Sequence, residues 1–142
     1  MDRKPQNYAN HAKIDPLFHR VLLPGLLALL ILAVTNVVRH YETLEGWILV
    51  LMTILLILLA FKARIYALKA QDRAIRAEEH LRHFVLTGKL LDPRLTIRQT
   101  VALRFAPDGE FVPLAERGAN ENLTPDAIKR AIKEWRPDTY RV

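Results

Sequence analysis

Two stretches of this chain set the terms for any fold it can adopt. Val21 to Val38 (VLLPGLLALLILAVTNVV) carries no formal charge over eighteen residues, and Trp47 to Phe61 (WILVLMTILLILLAF) carries none over fifteen. At 1.5 Å per residue the first makes about 27 Å of helix, close to the thickness of a bilayer core. The second is short for a span, but Lys62 and Arg64 just beyond it can lift their charges to the headgroups while their stems stay in lipid. A soluble chain of 142 residues would have to hide both runs under the remainder, which is too short and too charged to cover them. The pattern predicts two membrane spans, residues 21–38 and 47–61, arranged as a transmembrane hairpin.

Charge orients the pair. Arg3, Lys4, Lys13 and Arg20 precede the first run, and no small-residue cleavage site follows it, so the run is expected to be retained rather than removed as a signal peptide. The link RHYETLEG sets one arginine against Glu42 and Glu45, whereas sixteen lysines and arginines follow the second run. Both termini are therefore expected on the cytoplasmic side. The absence of cysteine excludes disulfides and thiolate metal sites, which suits that compartment. The net charge of +6 favours anionic lipid headgroups as the simplest partner, with Lys62, Arg64, Lys129, Arg130 and Lys133 as candidate lipid or partner contacts.

No glycine or proline lies between Gly46 and Gly88, so the second span can continue as one helix over residues 62–88, about 39 Å from Lys62 to Thr87. Every seventh position reads Gly46, Thr53, Ala60, Ala67, Ala74, Leu81 and Gly88, and a second series reads Leu49, Leu56, Ala63, Ala70, Ala77 and Phe84. A period of seven keeps one stripe turned toward a partner, and small side chains let backbones approach, which matters in lipid where apolar burial gives no drive. The expected packing seam is Gly46, Thr53, Ala60, Ala67, Ala70, Ala74, Ala77 and Leu81, with Gly25 of the first span facing Ala60 at equal depth. Alanine also fills any helix cheaply, and that reading competes. A stripe of larger residues, Phe61, Leu68 and Ile75, offers a second contact face. Lys62, Lys69, Arg76 and His83 repeat on the other side as an expected solvated face, with Asp72–Arg76 and Glu78–Arg82 as spacing-four ion pairs.

Residues 89–142 read as a small bundle of short helices. Thr96 and Gln99 make a capping box, PDGE at 107–110 reads as a turn, and LTPDAIKRAIKEW starts a helix with Thr124 as N-cap, Pro125 in the first turn and Leu123 placed to staple on Ile128. That helix is expected to run to Pro137, with Ile128, Ala131, Ile132 and Trp135 on its apolar face. So small a core needs support, so the module is expected to dock on the long helix.

Catalytic patterns are wanting. No glycine-rich phosphate loop or nucleophile elbow occurs. Glu78 and Glu79 point about 100° apart on a helix and make a poor acid/base pair. Glu79, His80 and His83 share one turn without a further ligand nearby, and a solvated reading is preferred to a metal site. FKARIYALKAQDRAIRAEEHLRH, ALRFAPDGEFVPLAERGANENLTPDAIKRAIKEWRPDTYRV and NYANHAKIDPLFH together resemble a small bacterial family of two-span inner-membrane proteins of unknown function, over nearly the whole chain. That resemblance implies a multi-pass inner-membrane location and carries no catalytic set; some members bear a permease label. Relatives in that resemblance often have Val or Leu in place of Ala70, Ala74 and Ala77, which weakens the close-approach reading of the seam.

The expectation is an all-α membrane protein with a cytoplasmic segment 1–20, a hairpin 21–61, a helical extension 62–88 and a short-helix module 89–142. Its expected function is non-enzymatic, with no cofactor, metal or small-molecule substrate: presentation of the module for assembly as a homo-oligomer or with another membrane protein. A small subunit of a transport complex is the alternative. Membrane-tethered nucleic-acid binding is the second alternative, disfavoured because no base-reading cluster stands out.

Overall fold

The computed structural model describes residues 5–11 and 14–138. Arg3, Lys4 and Lys13, used above for orientation, lie outside the described residues. Among the described residues the chain is all helical, with five α-helices and no strands: α1 (Leu23–Arg39), α2 (Leu44–Thr87), α3 (Ile97–Leu103), α4 (Asp108–Asn120) and α5 (Pro125–Ala131). Two compact units emerge. Residues 14–67 form one, and residues 5–11 together with 68–138 form the other. The unit boundary therefore falls a few residues beyond the end of the apolar run, and the amino-terminal segment belongs with the carboxy-terminal helices.

In the first unit a π-helical turn, Leu17–Leu22, leads into α1. Asp15 Oδ1 accepts from the Leu17 and Phe18 amides at 3.0 and 3.2 Å, which fixes the start. Pro24 lacks an amide proton and its ring would press on the carbonyl one turn earlier, a conflict that a widened turn relieves. Two helices, Leu17–Arg39 (counting the π turn) and Leu44–Thr87, are long and apolar enough to cross a membrane. Only 11% of the most apolar window of each is buried.

In the second unit the core is Leu103, Phe105, Phe111 and Ile128, all essentially inaccessible, with Leu91, Leu95, Ala102, Leu114 and Ile132 around them. Thr96 caps α3 as expected: its hydroxyl accepts from the Gln99 amide, and Gln99 Oε1 accepts from the Thr96 amide at 2.7 Å. Thr124 caps α5, with Pro125 in the first turn. Gly118 lets α4 approach, since a Cβ there would stand 3.3 Å from Leu95 Cδ2 and 3.4 Å from Ile128 Cδ1. Gly88, at φ 71°, takes the left-handed conformation that ends α2.

Two sequence expectations are corrected here. PDGE does not form an isolated turn but opens α4: Pro107 is its N-cap, the Glu110 and Phe111 amides donate to the Pro107 carbonyl, and Asp108 and Glu110 place carboxylates at the positive end of the helix. The last helix stops at Ala131, short of Pro137. Its next amides are diverted: Lys133 and Glu134 donate to the two carboxylate oxygens of Glu110 at 2.9 and 3.0 Å, so the backbone turns extended at Ile132. The Arg136 amide then donates to the Phe105 carbonyl at 2.7 Å, which returns Trp135 to the core although it no longer rides on a helix.

Candidate functional site

The seam residues fall into two environments. In the first unit Gly46 and Thr53 are buried, and Ala60 and Ala67 are half-buried. A Cβ on Gly46 would lie 3.0 Å from Asn36 Oδ1 and from Val37 Cγ2, so any larger residue would have to push those side chains of α1 aside. Thr53 satisfies its hydroxyl internally by donating to the Leu49 carbonyl at 2.8 Å. Ala33 and Val37 are the buried residues of α1. Gly25, expected opposite Ala60, has open space where its Cβ would be. Phe18 meets Phe61 edge to face at 6.2 Å between centroids. Arg64 turns toward Asp15 at 3.8 Å and over the Phe18 ring, with only 14% of its side chain exposed, while Lys62 is exposed.

In the second unit the remaining seam residues, Ala70, Ala74, Ala77 and Leu81, are exposed. So are Phe84 and Val85, which continue the same strip. The face of α2 that carries the short helices is different and more polar: Ile75, Glu79 and His83 are buried. His83 was expected on a solvated face; instead it meets Phe111 edge to face at 6.0 Å, and its Nδ1 lies 2.9 Å from the Lys89 carbonyl.

Arg82 organises this contact. Its Nε donates to Asp108 Oδ1 at 2.7 Å, one terminal nitrogen donates to Glu79 Oε2 at 3.0 Å and the other to the Ala106 carbonyl at 2.8 Å. The guanidinium also sits 4.4 Å from the centroid of Phe111. The expected partner, Glu78, is not the one Arg82 takes; the ion pair forms at spacing three with Glu79 because Asp108 and the Ala106 carbonyl draw the guanidinium to that side. Beside it lies a cleft of about 680 Å³ bordered by Glu78, Glu79, Arg82, Asp108, Glu134 and Arg136. His80 has its pKa lowered by burial, then by the neighbouring Arg76 and His83 charges.

The amino-terminal segment closes the other side of the core. Tyr8 donates to Asp126 and accepts from Arg130, and the His11 ring meets Phe105 edge to face at 5.8 Å and Trp135 at a tilt at 5.7 Å. Lys129 Nζ lies 3.0 Å from His11 Nε2. Lys129 and Arg130, proposed from sequence as outward contacts, thus hold chain segments together, while Lys133 is exposed.

The model for a family of unknown function, DUF6526, matches residues 1–142. The chain belongs to DUF6526. No curated protein and no solved structure matches it. In this DUF6526 chain sequence reasoning found the glycine and threonine of the first contact and missed the Glu79, Arg82 and Asp108 group. Its only sequence signal was Ile75, an apolar residue among charges one turn before Glu79.

Proposed function

We propose that this DUF6526 chain is a non-enzymatic integral membrane protein that crosses the bilayer twice as a hairpin, keeps both termini in the cytoplasm, and presents a helical module there for protein assembly. The observation that carries the reading is the exposure of most of the apolar surface on both long helices: among the described residues, Leu27, Ile31, Leu32 and Val38 of α1 and Trp47, Leu51, Leu55 and Leu59 of α2 stand exposed. Lipid is the solvent that such surfaces suit. The asymmetry of sixteen basic residues after the second run against one in the link supports the orientation.

Because the chain has no cysteine, single substitutions report topology cleanly. In bacterial spheroplasts E42C is expected to react with a membrane-impermeant maleimide, and E116C only after the membrane is opened. Labelling of both from the same side, or release of the protein by a carbonate wash, would overturn the reading.

A further inference from the structure

The short helices leave one side of α2 bare, and its chemistry identifies what fits it. Assigning heptad letters with Ala74 and Leu81 at a and Ala70, Ala77 and Phe84 at d, the docked residues Ile75, Glu79 and His83 occupy b, f and c, the positions farthest from an a/d seam. The module therefore covers the back of the helix and leaves the front open over residues 70–85. Exposed apolar residues concentrate there, with Leu81 at 64% and Val85 at 74%.

The flanks carry the second observation. Arg73 falls at g and Glu78 at e of the next heptad. In a parallel pair of helices g contacts e five residues on in the partner, so two copies in register bring Arg73 of each against Glu78 of the other, twice by symmetry. Both side chains are exposed, and neither is paired with another side chain among the described residues. The set is complementary to itself in one arrangement: parallel and unstaggered. We propose that the bare face of α2 binds a second copy of this chain through the Ala74/Leu81 seam, with Arg73 and Glu78 setting the register.

This inference rests on the membrane reading. Two copies inserted with the same topology run in the same direction, and confinement to one bilayer raises their effective concentration, so a narrow alanine seam suffices. The ion pairs specify orientation more than they add affinity, since exposed pairs are weak and screened by salt.

The test uses full-length A74C in vesicles of neutral lipid at low protein density, with oxidative crosslinking as readout and the tryptophan spectrum as a check that each variant is folded. A74C is expected to crosslink. R73E and E78R are each expected to lower the yield several-fold by setting like charges opposite one another, and the double exchange R73E/E78R to restore it. Efficient crosslinking that ignores all three charge variants would overturn the register while leaving self-association. A74C that never crosslinks, although the maleimide assay still shows two spans, would overturn the second copy and leave the membrane reading standing.

Discussion

Arg82→Met isolates the contact that fastens the short helices to α2. The methionine keeps an apolar stem beside Phe111 but removes the guanidinium, and Glu79, whose side chain is 5% exposed, is left with Arg136 at 3.9 Å as its nearest cation. Removing one member of a buried ion pair costs about 3–5 kcal/mol, chiefly because the other charge stays in a poorly solvated place. For a unit of this size that corresponds to a fall of more than about 12 °C in melting temperature, at roughly 4 °C or more per kcal/mol. Glu79→Gln alone should cost about 1–2 kcal/mol, because Arg82 keeps Asp108 and the Ala106 carbonyl. The double variant should recover about 2 kcal/mol relative to Arg82→Met, since the stranded charge is gone. Thermal unfolding of the full chain in mild detergent, in a Trp47→Phe background so that Trp135 reports, measures all three. A double variant less stable than Arg82→Met would refute the claim that Arg82 neutralises Glu79.

Three smaller perturbations probe other parts of the molecule. Thr96→Ala removes the hydroxyl side of the capping box and should cost about 1–2 kcal/mol by the same melt; an unchanged midpoint would mean the cap contributes nothing. Gly46→Leu places a branched side chain where a Cβ alone would meet Asn36 and Val37 at 3.0 Å, so the first unit should melt several degrees lower by Trp47 emission in a Trp135→Phe background. His80 binds its proton less readily in the folded chain, so the unfolded state takes up more protons as pH falls below about 6.5, and stability declines until the lower folded pKa is passed. His80→Gln should flatten part of that slope, and an identical slope would assign the acid sensitivity to other groups.

The elements that sequence could reveal are those set by neighbours in the chain. The uncharged runs, the Thr96 and Thr124 caps and the absence of glycine or proline from 47 to 87 each act over one or two turns, and the helices begin and continue where these features place them. The end of α5 was illegible because the groups that stop it are remote. Nothing near Ile132 forbids another turn; the carboxylate of Glu110, more than twenty residues earlier, takes the two amides that would have continued it. PDGE misled in the opposite direction. Proline, aspartate and glycine suit a turn, yet Pro107 followed by Asp108 and Glu110 equally suits a helix start, and the helix that forms there carries Phe111 into the core, where it is fully buried.

Ile75 marked the docked face of α2 in the sequence, but the polar part of that face was illegible for a different reason. Glutamate and arginine three or four residues apart are what a solvated helix displays, and no local count distinguishes a pair that faces water from one that faces another helix. What changes the outcome is donor capacity. A guanidinium carries five N–H groups in a planar fork, and Glu79 takes only one of them; Asp108, 26 residues on, and the Ala106 carbonyl, 24 residues on, take others from a direction no solvated side chain would need. An apolar seam could not have been used for this contact without hiding the residues that the proposed self-assembly requires. Fastening the module through Ile75, Glu79, Arg82 and His83 leaves Ala74 and Leu81 open, so the polar character of the one face is the condition for the availability of the other.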